Sequence, residues 1–409
     1  MLGEDNMGDR DLEKHSAIVL FSTLAASFFN YLYQLSMGRL LSVEDYGIFY
    51  SLLSLLYIIN VGGGAVQTSI ARYSSKLKAH EQYGRIRYLW EFSTKRTLLL
   101  GFASFVLVSL LSPILSQFLN ISTPWYVILL AFFLIFSFAL PANWGLLIGL
   151  QRFFDFGASN AAWAFLKLLL GVLLVMLGFG VYGGLLSLSL ANIVIFIVTM
   201  LLIQNFIKAK PEKFKLGDIY SYSSLALLAI FSFTTMTYID VILAKHYLDP
   251  TSAGEFSALS VLGKIVFFAP SGIALAMFPK TSESFEKKKS HFLILAKALL
   301  YTLLIGGFVA LLFLFFASPI EKIMFGDKYP AIVPYMFEYG AAMLLFSVVA
   351  LLVNYFLSIH KTKVAYLISF ALIVEIMLLS TFHSGIADIT HSMLASGTVA
   401  VILMLFYLK

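Results

Sequence analysis

The sequence predicts an all-α polytopic membrane protein with about twelve transmembrane helices, in two six-helix parallel-repeat lobes around a central cavity. Three observations lead to this fold. The 409 residues are 60% hydrophobic and only 12% charged, whereas about 25% of the residues in a typical soluble domain are charged. Long uncharged runs recur along the chain, and one loop motif returns after about half of its length. These features exclude a soluble enzyme.

The longest uncharged stretch shows that single runs can hold two spans. Residues 97–151 are 55 residues without Asp, Glu, Lys or Arg. One helix of that length would be roughly 80 Å long, but the hydrocarbon core of a bilayer is about 30 Å thick. The stretch is therefore predicted to cross the membrane twice.

Uncharged runs separated by turn residues predict twelve spans. No predicted loop is long enough for a separate soluble domain, so a catalytic module outside the membrane is not expected. The spans lie near 16–38, 46–70, 97–118, 125–150, 158–180, 184–206, 219–243, 255–279, 297–317, 335–358, 364–382 and 388–408.

The distribution of Lys and Arg predicts the orientation. Of the 28 Lys and Arg residues, 22 fall on the side of the N-terminus, four on the other side and two within spans. Because cytoplasmic loops carry the excess of positive charge, we predict a cell-membrane protein with both termini in the cytoplasm. This placement accounts for the net charge of +6 without a nucleic-acid partner. The chain has no cysteine, which excludes disulfides and thiolate metal sites.

An internal repeat is visible in the loops that follow spans 1 and 7. Gly47 and Gly254 occupy equivalent places in these loops, 207 residues apart. Six spans separate the two copies, so both repeats have the same orientation. Two parallel halves of this kind are typical of transporters with a cavity at the membrane midplane. The predicted lobes are 1–206 and 219–409, joined by a cytoplasmic linker at 207–218.

The same offset pairs two helix-breaking sequences. Gly63, within the run Gly62-Gly63-Gly64 of span 2, is equivalent to Pro270 of span 8. Because glycine and proline weaken or interrupt a helix, both spans are predicted to bend at these residues.

Three short motifs carry a family resemblance. They are Gly38-Arg-Leu-Leu-Ser-Val-Glu-Asp-Tyr-Gly47, Ser69-Ile-Ala-Arg-Tyr73, and Gly149-Leu-Gln-Arg-Phe153 followed by Gly178-Phe-Gly-Val-Tyr-Gly-Gly184. With these motifs the chain resembles the polysaccharide biosynthesis, or oligosaccharide flippase, family of the multidrug/oligosaccharidyl-lipid/polysaccharide exporter (MOP) superfamily.

The resemblance implies a function and a set of partners. Members of the family move polyprenyl-linked oligosaccharides from the inner to the outer leaflet, with helices 1, 2, 7 and 8 lining the cavity. The expected partners are therefore that lipid-linked substrate, membrane lipids and glycan-assembly enzymes. Nucleic acid, a cofactor, a metal and an enzymatic activity are not expected.

Three basic residues are candidates for binding the phosphate of such a substrate. Lys264 lies about ten residues into span 8, where a charge that faces lipid costs roughly 3 kcal/mol. It is expected either to face a cavity, to extend to the interface or to pair with Asp240. Arg39 and Arg72 lie near span ends, where extension to the interface is the ordinary explanation; the resemblance implies a place in the cavity.

Three further charges are candidates for ion coupling or for pairing inside the membrane. Asp240 ends span 7, Lys167 lies in span 5 and Glu375 lies in span 11. Charges within spans usually mark ion or substrate pathways. Coupling and simple helix–helix pairing are both open for these residues.

Two other function classes compete with a flippase. A MATE-like, ion-coupled drug or cation exporter needs an acid that faces the cavity, but span 1 contains no Asp or Glu. A membrane glycosyltransferase or polymerase usually needs a large outer loop with acids, and the longest predicted outer loops have about 17 residues.

Overall fold

The computed structural model describes residues 4–214 and 224–408, with side chains from residue 18 onward. Over these ranges the chain forms sixteen α-helices and no strand. A π-helical turn (Val175–Phe179) and a 3₁₀ turn (Pro330–Tyr335) interrupt the series. The helices are α1 (Glu4–Leu40), α2 (Val43–Ile59), α3 (Gly62–Ala79), α4 (Tyr83–Leu110), α5 (Ser112–Phe118), α6 (Trp125–Ser137), α7 (Leu140–Gly149), α8 (Phe153–Leu174), α9 (Gly180–Phe206), α10 (Ser224–Tyr247), α11 (Pro250–Phe268), α12 (Ser271–Glu286), α13 (Phe292–Phe325), α14 (Met336–Ser358), α15 (Val364–Thr381) and α16 (Ile386–Leu408).

Ten segments are long and apolar enough to span a membrane, and α2 with α3 forms an eleventh, bent span. One of the ten, Phe153–Phe206, has 54 residues, about twice what a span needs. It is broken at Gly178 and Gly180, whose φ angles of 92° and 50° are left-handed, and glycine adopts this conformation readily. Because α8 and α9 pack against each other, the segment is a hairpin of two spans. The twelve predicted crossings are confirmed.

The internal repeat reappears in the backbone of the turns. The described residues include six non-glycine positions with positive φ, and they form three pairs related by the repeat. In each pair the left-handed residue follows a helix end. After five of the six residues, all except Asp327, the next amide closes a Schellman-type bond such as Gln82 N to Leu77 O, at 3.0 Å. The pairs are Glu81 with Lys288 and Asn120 with Asp327, both 207 residues apart, and Gln151 with His360, 209 residues apart.

The described residues group into two compact units. The first consists of 4–40, 60–117 and 121–214, and the second of 41–59, 118–120 and 224–408. Helix α2 belongs to the second unit because it packs on α10 and α11, whereas the predicted N-terminal lobe, 1–206, includes it. The lobe boundaries stay a prediction.

The first half of the predicted linker 207–218 is attached to the start of α4. The Glu212 amide donates to the Gly84 carbonyl at 3.0 Å, and Arg87 donates to the Ile207 carbonyl at 2.7 Å. A side chain at Gly84 would place Cβ 2.8 Å from the Lys210 carbonyl oxygen, so the glycine permits this approach. Residues 215–218 of the linker lie outside the described residues.

Both predicted helix-bending sequences lie at helix boundaries. Helix α2 ends at Ile59 and α3 begins at Gly62, with an angle of 41° across the break. Helix α11 ends at Phe268, and Pro270 precedes the first residue of α12. Whether these breaks bend during function stays a prediction.

Asp249 caps the N-terminus of α11. Its Oδ1 accepts hydrogen bonds from the amides of Thr251 and Ser252, both at 3.1 Å. Hydrogen bonds from Ser252, and then from Thr251, lower the pKa of Asp249 below its ordinary value. The stabilisation is therefore complete above the ordinary carboxyl pKa and is lost as the pH falls through the lowered one.

Replacing Asp249 with Ala is expected to destabilise the fold by about 1 kcal/mol, the usual value of an N-cap. Thermal unfolding in detergent across the acid range would measure the effect. Asp249→Asn retains an oxygen acceptor, so we expect near-normal stability with a weaker dependence on acid pH. Equal stability of the Ala variant and the native protein at pH 7 would contradict the capping role.

Candidate functional site

Equivalent residues of the two repeats meet in the second unit. A methyl group on Gly47 of α2 would lie 2.9 Å from the backbone nitrogen of Gly254 on α11. Beside this contact, Thr251 Oγ1 lies 3.4 Å from Glu44 Oε1, and these residues are also 207 apart. The two glycines therefore allow α2 and α11 to cross in backbone contact.

Lys264 lies on α11 in a cluster of tyrosines. Its side chain is buried, with 4% of the residue exposed. Its Nζ is 4.1 Å from the centroid of the Tyr238 ring and 5.3 Å from that of Tyr50. Nζ also lies 3.4 Å from the Tyr50 hydroxyl oxygen. These aromatic faces stabilise the ammonium group in a buried environment.

Tyr57 completes this cluster from α2. Its ring centroid is 4.8 Å from that of Tyr238, so Tyr238 lies against both Tyr57 and Lys264. Tyr57 and Lys264 are equivalent residues of the two repeats, 207 apart. Helices α2 and α10 thus supply a tyrosine cage, which we define as Tyr50, Tyr57 and Tyr238, beside the Lys264 ammonium group of α11.

Asp240 of α10 is fully buried near this cage. The Tyr339 hydroxyl donates a hydrogen bond to Asp240 Oδ2. Asp240 lies within electrostatic range of Lys264 and of Glu375, but its oxygens are beyond the 4.0 Å of an ion pair with Lys264. The predicted pairing of Lys264 with Asp240 is therefore a longer-range attraction.

Glu375 of α15 is also fully buried. Within the described residues, both of its carboxyl oxygens and Asp240 Oδ1 have no hydrogen-bond partner. Buried carboxylates are costly unless they are protonated, paired or bound to a cation. The Asp240–Glu375 pair can therefore bind a proton or a small cation.

Lys167 of α8 has different partners in the first unit. It is 3% exposed, and its Nζ donates a hydrogen bond to Asn30 Oδ1 of α1. Nζ lies 4.7 Å from the ring centroid of Tyr33 and 4.6 Å from that of Trp163. The partners of Lys167 thus belong to the first unit, whereas Glu375 and Asp240 belong to the second.

The two candidate arginines are exposed residues of the first unit. Arg39 lies in the last turn of α1, and Arg72 lies on α3. The chain between them includes the 17 residues of α2 and about three turns of α3, a helical path of roughly 40 Å. Both arginines lie outside the second unit, which contains Lys264 and the tyrosine cage.

Sequence reasoning identified four of the buried charges, those of Lys167, Asp240, Lys264 and Glu375, but not those of Lys245 and Glu321. It also missed the aromatic residues around Lys167 and Lys264. Tyr50 and Tyr57 are spaced by about two helical turns, which places them on one face of α2. This spacing was the one signal in the sequence for an aromatic cluster. Because the chain contains 21 Tyr and 39 Phe, such a spacing is weak evidence by itself.

An apolar groove of about 420 Å³ lies elsewhere, between α13 and α16. It is lined by Phe292, Leu295 and other apolar side chains, and it contains none of the candidate charges.

Known proteins share the family and the fold of this chain. The family described as polysaccharide biosynthesis protein matches residues 36–334. No curated protein matches the chain. Among solved structures, an inward-facing multidrug resistance MATE family transporter of the MOP superfamily has a TM-score of 0.74 at 15% identity, over 92% of this chain and 93% of that one.

The lipid II flippase MurJ, in an inward closed conformation, has a TM-score of 0.71 at 16% identity, over 95% of this chain and 87% of that one. At such identities the likeness demonstrates a shared fold. The family match covers most of the chain and includes α2 and α10, which carry the tyrosine cage, and α11, which carries Lys264. This multi-pass membrane protein therefore belongs to the family described as polysaccharide biosynthesis protein.

Proposed function

We propose that the protein is a flippase for a polyprenyl-(di)phosphate-linked oligosaccharide, used in polysaccharide or glycan assembly. It moves this lipid from the cytoplasmic to the outer leaflet of the cell membrane by alternating access, with both termini in the cytoplasm. The observation that carries the proposal is the buried Lys264 ammonium group in the tyrosine cage, in a chain of this family. Membrane lipids and glycan-assembly enzymes are the proposed partners.

The phosphate of the substrate requires positive charge, because an anion is costly inside a membrane. In the predicted orientation, Arg72 lies toward the cytoplasmic side, Lys264 lies within its span, and Arg39 ends the first span on the outer side. We propose that the phosphate meets these cations in that order. Bending at Gly62–Gly64 and at Pro270 supplies the change in helix direction that such a passage needs.

We assign ion coupling to Asp240 and Glu375. Two neighbouring buried carboxyl groups without sufficient partners favour the uptake of a proton or a small cation. The attraction between Asp240 and Lys264 then links the occupancy of the carboxyl pair to the charge at the tyrosine cage. Binding at one place thereby alters affinity at the other.

The direct test is flipping in proteoliposomes that contain a fluorescent polyprenyl-diphosphate oligosaccharide. A quencher added outside distinguishes the two leaflets. Protein-dependent exchange of the labelled lipid between leaflets is expected, with no exchange of a labelled lipid that lacks the glycan. Absence of exchange, with and without imposed ion gradients, would contradict the proposal.

A disulfide between α2 and α11 is expected to stop transport. The two helices belong to different predicted lobes, 1–206 and 219–409, and we propose that alternating access moves these lobes apart where Gly47 meets Gly254. The chain has no cysteine, so Glu44→Cys with Thr251→Cys introduces one unambiguous pair at a native contact of 3.4 Å. Oxidation is expected to reduce flipping at least about tenfold, and a reductant should restore it.

Each single-cysteine variant serves as the control, since oxidation cannot link α2 to α11 in either. Mass spectrometry would verify the intramolecular bond. Full activity of the cross-linked protein would show that this contact does not open during transport.

A cation or drug exporter is the second candidate, favoured by the buried Asp240–Glu375 pair. Such an exporter would carry a cationic dye out of cells in exchange for protons. The Lys264 ammonium group opposes a cationic substrate at the tyrosine cage, so we rank the flippase first. Proton-driven dye efflux by the purified protein would reverse this order.

A further inference from the structure

The first unit holds a buried ammonium group, and no acid lies beside it among the side chains that the structure describes. Among the described residues of this unit, Lys167 is the only buried Lys or Arg. Its partners are the side-chain amide oxygen Oδ1 of Asn30 and the ring faces of Tyr33 and Trp163. Aromatic faces attract ammonium groups electrostatically, and an amide oxygen accepts a hydrogen bond from an ammonium group.

The surrounding structure holds this arrangement in place. The Tyr33 hydroxyl donates to the Gly184 carbonyl at 2.6 Å, which fixes the ring. Gly171 provides the space for it, because a methyl group there would lie 2.6 Å from Tyr33 Cε2. The Trp144 ring packs on Trp163 edge to face, with centroids 6.3 Å apart.

The equivalent positions of the second repeat carry the opposite charge. Tyr33 and Asp240 are equivalent residues, 207 apart, and Lys167 and Glu375 are 208 apart, within the offsets of 207 and 209 seen in the turns. Both pairs join the first helix of a repeat to its fifth span. One repeat keeps two carboxyl groups here, and the other keeps one ammonium group.

We propose that Asn30, Tyr33 and Trp163 form a binding site for a small ammonium group, with Lys167 Nζ as its tethered occupant. The first repeat then carries a permanent cation, the Lys167 ammonium group, where the second repeat binds and releases a proton or a small cation. Exchange at Asp240 and Glu375 rests on the proposed function, but the ammonium site itself does not. Coupling ions bind in the second repeat only.

Lys167→Ala removes the tethered occupant and opens the site to a free ammonium ion. We expect methylammonium chloride to raise the midpoint of thermal unfolding of this variant by about 2–4 °C, because a ligand that binds the folded state stabilises it. Sodium chloride at the same ionic strength should have no such effect, and the native protein should respond to neither salt.

Intrinsic fluorescence gives a second readout, because all four tryptophans, at 90, 125, 144 and 163, lie in the first unit. Methylammonium is expected to shift the emission of Lys167→Ala through Trp163. The shift should disappear in Lys167→Ala combined with Trp163→Phe.

Lys167→Met is the matched control, since its side chain fills the same space without a charge and should abolish the response. If Lys167→Ala does not fold, the proposal is tested by comparing the midpoints of thermal unfolding of Lys167→Arg and Lys167→Met. The proposal requires the Arg variant to be the more stable.

An Ala variant that responds equally to sodium and methylammonium, or to neither, would overturn the proposal. Equal stability of Lys167→Arg and Lys167→Met would also overturn the proposal. None of these measurements involves lipid transport, so failure here leaves the flippase assignment intact. Conversely, a failed flipping assay leaves this site unaffected.

Discussion

Replacing Lys264 with Ala is expected to reduce flipping of the polyprenyl-diphosphate oligosaccharide at least about tenfold, equivalent to about 1.4 kcal/mol in the transport barrier. Without the ammonium group, the substrate phosphate would enter the tyrosine cage with no counter-charge, in a region of low dielectric constant. The proteoliposome quenching assay measures the rate directly. Lys264→Arg retains the charge and should keep more activity than Lys264→Ala.

An exposed lysine of the same unit provides the matched control. The Lys322 side chain is 70% exposed and lies 3.9 Å from Asp327, so Lys322→Ala removes the same charge from the surface. We expect it to leave flipping unchanged, because exposed ion pairs contribute little. If Lys264→Ala flips the lipid as fast as the native protein, the phosphate must bind to other residues.

Replacing Glu375 with Gln is expected to abolish the stimulation of flipping by an ion gradient. An amide cannot take up a proton at ordinary pH and carries no charge for a cation, so the Asp240–Glu375 pair would lose its exchangeable ligand. The test compares flipping with and without an imposed proton or sodium gradient. Gradient-independent exchange should remain in this variant.

Glu286→Gln is the control for this experiment. The Glu286 side chain is 68% exposed and lies 3.3 Å from His360 Nε2, so its loss should not alter coupling. Thermal unfolding separates coupling from folding: Glu375→Gln should be at least as stable as the native protein, because it removes a buried carboxyl group that lacks partners. An unchanged gradient response would exclude Glu375 from coupling.

The sequence contained enough information for the overall architecture. Uncharged runs are long because charge inside a bilayer is costly, so composition along the chain reveals the spans. The offset of 207 residues between Gly47 and Gly254 also predicted equivalences that the structure displays, such as the left-handed turns at Glu81 and Lys288. These signals are local or periodic along the chain, so they can be recognised in the sequence without the structure.

The hairpin at Gly178–Gly180 was predicted for the same reason. Glycine is the residue that adopts positive φ readily, so two closely spaced glycines between apolar runs indicate a reversal. By contrast, the attachment of 207–214 to α4 depends on contacts such as Arg85 with Glu212, at 3.0 Å. Those residues are 127 apart, and no local pattern relates them.

The helical membrane fold, the repeat and four of the buried charges follow from the sequence alone, because a charge is costly inside a membrane and therefore conspicuous within a long apolar run. Lys245 and Glu321 lie close to helix ends, so their burial was not evident from the sequence. Only the tertiary structure decided what surrounds each charge. Tyr50 and Tyr238 meet Lys264 from two other helices, and Asn30 meets Lys167 across 137 residues of chain. Aromatic side chains are equally acceptable facing lipid or facing a cation, so helix packing alone selects those that form a site.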